Sequence, residues 1–385
     1  MLTRRNALVA GALSPLVLSG ATTAAWAQAS SSGSTGAVFA MSNTSDDNRV
    51  VSFRRAANGR LTRAGSFRTR GRGIGTDLDT TGGLRLSPDR RFLYAVNAGS
   101  DDVTVFAVSG TELRFLQKIT AGDVPNSLTI NGNLLYVLLG SVAGNGITGF
   151  RIRSDGRLAA IPDSFRPLSS PIAVPGQVQF SPDGRFLLVT HKVSDVEAGP
   201  PNNAIDVFPV GRDGRAGEAV RTASFGLRPF SLAVRRNLVV VVESFNAAEG
   251  RSAASSYRLT SGGDLSVVSG TVRNGQTDVC WVVITGDGRY VYTANFGSGT
   301  ISSYGLSGGG ELRLLDGRAA FTGALSQPVD LALSADSRFL YLLLRGNGAV
   351  APFRINDDGS LTSLGDPVGG GGLPVNDGAS GLAAF

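Results

Sequence analysis

The sequence predicts an all-β fold, a seven-bladed β-propeller of four-stranded antiparallel blades, from three observations. The first is a recurring phrase: SPDRRFLYAVN from Ser87, SPDGRFLLVTH from Ser181, TGDGRYVYTAN from Thr285 and SADSRFLYLLL from Ser334. The second is its period. Aligned on the third apolar position, the repeats fall at Tyr94, Tyr136, Leu188, Val240, Tyr292 and Tyr341, steps of 42, 52, 52, 52 and 49 residues. Such steps suit propeller blades rather than helical repeats. The third is composition: 52 glycines among 385 residues, 42% hydrophobic and only 17% charged, describe a chain with a large core and frequent turns.

Taken in chain order, residues 1–29 read as an export signal rather than as structure. Arg4 and Arg5 precede an apolar stretch from about Ala7 to Leu18, and the small-residue exit Ala25-Trp26-Ala27 follows. The paired arginines resemble a twin-arginine tag, so the expected location is outside the cytoplasm, periplasmic or extracellular. The apolar run is too short and too interrupted to span a bilayer, and no transmembrane segment is expected in the mature chain.

Residues 37–385 then form one expected propeller domain. Each unit opens with alternating apolar residues (QVQF, DLAL) and turns at an Asp-Gly-type pair. A β-rich segment (RYVYTAN) follows, then two further alternating segments (TISSYGL, ELRLLDG). Asp183-Gly184, Asp287-Gly288, Asp155-Gly156 and Asp358-Gly359 are hairpin formers because glycine tolerates positive φ. The stretch from Ala37 has the later strands of a blade without its opening strand, while GASGLAAF at the C-terminus reads as an opening strand alone. Together they make the closing blade, shared between the termini, which removes an open sheet edge.

Composition limits function. The formal net charge of +6 is arginine scattered through turns, with Lys118 and Lys192 the only lysines, so no nucleic-acid surface is expected. Cys280 is the sole cysteine and His191 the sole histidine, which excludes an intrachain disulfide and a His/Cys metal centre. Cys280 in TDVCWVVIT reads as a buried small hydrophobe. Asp46, Asp47, Asp77, Asp79, Asp101 and Asp102 are loop carboxylates that calcium could use, but without EF-hand spacing. The GRGIGTD stretch at Gly71 opens no helix, so no phosphate-cradling loop or cofactor is expected, and no serine elbow of the G-x-S-x-G form occurs. The expected state is a monomer.

Function is sought where the repeats disagree. Equivalent loops of a propeller lie on one face around the channel, so equivalent positions form a ring. Three residues beyond each aligned position stand Asn97, Leu139, His191, Glu243 and Asn295, then Leu344, with Ser42 from the split blade. His191 and Glu243 belong to neighbouring blades and read either as an acid–base pair or as a satisfied structural pair. Asn97, Asn295 and Ser42 read as ligand-binding candidates or as ordinary turn residues. The loop HKVSDVEAGPPNNAID, longer than its counterparts, is expected to roof part of this face.

The inner hairpins, blade number and split closing blade resemble the seven-bladed lactonase propellers, typified by bacterial 6-phosphogluconolactonases and fungal carboxymuconate-lactonising enzymes. The resemblance implies a site with an Arg opening one innermost strand and a Glu ending the next strand. It also implies a His from the preceding blade and a second Arg from the following one. Arg228 and Glu243, in LRPFSLAVRRNLVVVVES, match the first two. The His would fall near Gly176 and the second Arg at Phe296, so both are missing. Two readings therefore stand. One is an exported lactonase acting on an unphosphorylated sugar lactone or a related ring ester, with Arg228 polarising the lactone, Glu243 as base or orienter and His191 replacing the lost imidazole. The other is a non-catalytic propeller that binds a small sugar-like molecule, a peptide or a cell-envelope partner.

Overall fold

The computed structural model describes residues 35–142, 144–193 and 203–385. The proposed signal over residues 1–29 and most of the long loop after His191 lie outside the described residues.

Seven antiparallel sheets form the blades. Blade 1 joins Leu382–Ala384, Gly36–Met41, Arg49–Arg55 and Leu61–Arg68, from the innermost strand outward. The innermost strands of blades 2 to 7 are Leu84–Leu86, Pro125–Asn131, Val174–Phe180, Pro229–Arg235, Val279–Ile284 and Pro328–Leu333. In blades 3 and 7 the outermost strand is broken into two pieces, both pairing with the third strand. The fold is the seven-bladed propeller that the sequence predicts. The closing blade is shared between the two ends of the fold: Val38 pairs with Ala384, Phe39 with Ala383 and Ala40 with Leu382. Arg55 clasps this joint, its Nε donating to the Phe385 carbonyl at 2.9 Å.

The repeated phrase is a local turn device. In blade 4 the Ser181 hydroxyl bonds the Asp183 carboxylate at 2.6 Å and accepts from the Phe186 amide at 3.0 Å, while Gly184 sits at φ +72°. Ser87, Thr285 and Ser334 repeat this arrangement with Asp89, Asp287 and Asp336. The hydroxyl and carboxylate satisfy amides that the reversal removes from the ladder, which is why the phrase recurs.

The aligned tyrosines stitch one blade to the next. The hydroxyls of Tyr94, Tyr136, Tyr292 and Tyr341 donate to the carbonyls of Gly156, Gly214, Gly359 and Gly59, each in the outer turn of the following blade, at 2.8 to 3.0 Å. Beside three of these bonds the phrase's own aromatic ring, Phe92, Tyr290 or Phe339, packs on the same glycine. A Cβ on Gly156 would stand 2.2 Å from the Phe92 ring at φ +83°. Gly156→Ala is therefore expected to destabilise the protein by about 2 kcal/mol, because both steric space and backbone conformation forbid it. Tyr292→Phe, which removes one buried hydrogen bond and strands the Gly359 carbonyl, should cost about 1 kcal/mol. Denaturant unfolding of both variants checks the order: a costlier Tyr292→Phe would contradict it.

Candidate functional site at the channel mouth

The seven positions singled out from sequence are almost fully buried, and the polar ones hold their own blades together. His191 Nε2 lies 2.9 Å from Asp206 Oδ2, and Ser169 donates its amide and hydroxyl to the same carboxylate at 2.8 and 2.6 Å. Burial works to raise the Asp206 pKa, but the His191 hydrogen bond and charge outweigh it and hold the carboxyl below its ordinary value. Glu243 accepts from the Gly226 amide at 2.9 Å, from Ser255 Oγ at 2.5 Å and from Thr271 Oγ1 at 3.3 Å. Burial pushes it up to about 7 against these three bonds. Asn97 donates to Asp102 and Thr104, Asn295 to Thr300 and Ser302, and Ser42 bonds Asn48. Each is a strut between strands of one blade or between adjoining loops.

The side chains that meet at the mouth stand one residue further on. Successive residues of an extended chain point to opposite sides. Thus His191 is turned into blade 4 while Lys192 reaches the centre, and Leu344 is buried in blade 7 while Arg345 does the same. Lys192 binds both the carbonyl and the carboxylate of Asp79, the latter at 2.5 Å. Arg345 Nη1 meets Asp77 Oδ2 at 2.5 Å, and its Nε donates to Gln327 Oε1 at 3.0 Å.

A second set comes from the starts of innermost strands. Arg228, Asp278 and Gln327 immediately precede such strands and adopt φ of +54°, +57° and +48°. This kink is uncommon for residues with a Cβ and is a form of strain that collects at functional sites. Arg228 Nη2 lies 3.9 Å from Asp79 Oδ2, and its Nε is buried with no partner among the described residues. Burial raises the Asp278 pKa, opposed by the Arg228 charge and by the Cys280 thiol, which donates to it at 3.6 Å. Burial also pushes the Cys280 thiol up. Phe230, Trp281 and Phe296 form the wall, with ring centroids 5.3 and 6.3 Å apart. Lys192 lies 4.9 Å from the Phe230 ring centroid and Arg345 4.9 Å from that of Phe296.

Residues 77–81, which join blades 1 and 2, run across this centre as a strap. Thr80 Oγ1 donates to the Gly176 carbonyl at 2.5 Å, Trp281 Nε1 donates to the Thr80 carbonyl at 3.0 Å, and Ser127 Oγ to that of Thr81 at 2.6 Å. The neighbouring blade, not the strap, explains the missing imidazole. A Cβ on Gly176 would lie 2.0 Å from the Phe230 carbonyl, so this backbone has no room for a side chain. The strap accounts for two of the loop aspartates considered as calcium ligands, since Asp77 and Asp79 bind Arg345 and Lys192. Asp47 and Asp102 are likewise engaged, by Arg49 and Arg68 and by Lys118. At Phe296, where the resemblance implies a second arginine, Arg345 of the next blade stacks on the ring.

The mouth thus gathers three cations, three carboxylates and three aromatic rings. Of the three cations Arg228 alone was singled out from sequence, and Asp77 and Asp79 only as loop carboxylates; Lys192, Arg345 and Asp278 were missed. Reading one residue past the ring would have found the first two, and reading the residue before each innermost strand would have found the third.

Fold and site define a seven-bladed propeller with a polar, partly occluded mouth, and the chain belongs to the lactonase family of seven-bladed β-propellers, whose family model matches residues 46–174 and 241–328. No curated protein matches it significantly in sequence. Among solved structures it is similar to a putative 6-phosphogluconolactonase of Bacteroides fragilis, with TM-score 0.66 and 18% identity over 92% of this chain and 99% of that one. It is also similar to the periplasmic gluconolactonase of Pseudomonas aeruginosa, with TM-score 0.63 and 17% identity over 90% and 99%. A protein of Lactobacillus plantarum aligns with TM-score 0.69 and 16% identity over 91% and 98%. Identities this low support the fold. Among the described residues no helix is long and apolar enough to cross a membrane, and no group of three or more His, Cys, Asp or Glu is placed to hold a metal ion.

Proposed function

We propose that this protein is an exported lactonase that opens the ring ester of an unphosphorylated sugar lactone or a related lactone at the channel mouth. The observation that carries the reading is the meeting of Arg228, Lys192 and Arg345 with Asp278 around an aromatic wall, in a chain of the lactonase family. Hydrolysis needs a base for water and a cation for the carbonyl oxygen. Asp278 takes the proton from the attacking water, and its raised pKa makes it a better base than an exposed aspartate. Arg228 receives the developing oxyanion, the ring C–O bond breaks, and the proton is delivered to the departing ring oxygen, leaving a hydroxy acid.

Glu243 and His191 serve as positioning residues in this scheme. Glu243 fixes the Gly226 amide two residues before Arg228, and His191 is fixed by Asp206 immediately before Lys192. Asn97, Asn295 and Ser42 brace the loops around the mouth. Because Asp77, Asp79 and Asp278 balance the three cations, the mouth offers no surplus positive charge for a phosphate group, which favours an unphosphorylated substrate. The export signal that the sequence predicts over residues 1–29 would agree with such a substrate.

One observation favours the alternative of a non-catalytic small-molecule binder: strap carboxylates already engage Lys192 and Arg345. Acid release in a pH-stat separates the two. Purified protein should accelerate hydrolysis of at least one unphosphorylated lactone over the spontaneous rate, and Asp278→Asn should remove most of that acceleration. A folded protein inert toward sugar and aromatic lactones alike would leave binding as the function.

A further inference from the structure

Below the strap the central channel continues as a cavity of about 460 Å3 that reaches the opposite face, where the SPDGRF-type turns lie, near Arg235 and Gly286. Its lower walls are apolar, with Val234, Ile284 and Leu333 among them, while its closed end carries Thr81, Gln177, Gln179, Arg85 and Asp330. A cup of this size that combines an apolar wall with several convergent polar groups has the form of a small-molecule site.

The polar groups depart from the repeat. At the innermost-strand position that pairs with the aligned residue of the second strand, the other blades place Ala383, Thr129, Gln179, Ala233, Val283 and Ala332. Blade 2 places Arg85 there. One Arg85 nitrogen, Nε, donates to the Leu128 carbonyl at 3.1 Å. Asp330 sits in a different blade at φ +43° and accepts the Gly381 amide at 2.7 Å. The two side chains interact electrostatically. Thr81 is 8% exposed and its hydroxyl has no partner among the described residues. A fold that only needed to fill its axis would place apolar side chains here, since desolvating a guanidinium and a carboxylate is costly even when the two interact.

From these positions we infer that the channel under the strap is a second binding site, separate from the mouth, for a small hydroxycarboxylate. Its carboxylate lies on Arg85, its hydroxyls meet Asp330, Thr81 and Gln177, and its carbon chain rests on the apolar wall. The ligand enters from the turn face, because residues 77–81 separate this cavity from the mouth. The inference stands whether or not the mouth hydrolyses lactones.

Titration calorimetry with gluconate as the probe tests it, with sorbitol, which lacks the carboxylate, and hexanoate, which lacks the hydroxyls, as comparisons. Gluconate should bind, and sorbitol and hexanoate should bind about ten-fold more weakly or not at all, the range of one charge-assisted hydrogen bond. Arg85→Gln should weaken gluconate binding by about ten-fold or more, whereas Arg313→Gln, exposed on an outermost strand, should leave it unchanged. Ala233→Leu narrows the channel without touching its polar groups and should also block binding, which guards against a folding defect in Arg85→Gln. Absence of gluconate binding to folded wild-type protein overturns the inference. So does binding lost in Arg313→Gln and kept in Arg85→Gln.

Discussion

Arg228→Met is expected to lower kcat/KM for lactone hydrolysis by about 10² to 10³, the range for removing one preorganised oxyanion donor. The substitution keeps an unbranched, flexible stem, though a shorter one, and removes the guanidinium and its charge. The Arg228 side chain is 27% exposed and its ion pair with Asp79 is long, at 3.9 Å, so stability should change by less than about 1 kcal/mol. The loss is expected mainly in kcat, because Lys192, Arg345 and the aromatic wall remain to bind the ring. Steady-state kinetics in the pH-stat, with a melting curve beside it, separates the effects. A variant with unchanged kcat would show that Arg228 does not act on the carbonyl.

The second large effect concerns Glu243 and is read as stability against pH. Its pKa is raised from 4.5 to about 7 in the fold. The folded chain therefore holds a proton that the unfolded chain has released, and stability declines as pH rises from about 4.5 to about 7. The shift corresponds to about 3 kcal/mol. Asp330, likewise pushed up to about 7 by burial despite the Arg85 charge, adds a decline of the same sign. Glu243→Gln keeps an acceptor for the Gly226 amide and carries no charge. It should abolish its share of the slope and be more stable than wild type at pH 8. Glu243→Ala strands the Gly226 amide and two hydroxyls and should cost about 3 kcal/mol or more at pH 5. Unfolding free energies between pH 4 and 8 check both. A wild-type curve that rises over this range, with Glu243→Gln parallel to it, would contradict the burial of Glu243.

These expectations rest on features that were legible in the sequence to different degrees. The propeller was legible because local devices recur from blade to blade: four blades share the Ser/Thr-Asp turn and four the aligned tyrosine that reaches the next blade's turn glycine. The split closing blade was legible because each end lacked what the other supplied. The ring at the mouth was misplaced by one residue. Sequence periodicity locates the end of a strand, but whether its last side chain points into the blade or toward the axis depends on the backbone there, so His191 was singled out and Lys192 was not.

Arg345 escaped because it reaches Phe296 from a different blade, a contact no single-blade alignment contains. The strap escaped because residues 77–81 lie in an inter-blade connection with no counterpart in the repeat. Asp77 and Asp79 read as loop carboxylates until Thr80 is seen bonded between Gly176 and Trp281. The cost of a side chain at Gly176 was equally invisible, since it arises from the Phe230 carbonyl of the neighbouring blade.

The central claim is that lactone chemistry takes place at the mouth around Arg228 and Asp278. A crystal structure with a sugar lactam, a lactone mimic whose ring amide resists opening, tests it most directly. The expected result is the lactam carbonyl oxygen within hydrogen-bond distance of the Arg228 guanidinium, its ring against Phe296, and Asp278 facing the carbonyl carbon. A lactam bound elsewhere, with Arg228 and Asp278 untouched, would contradict the claim.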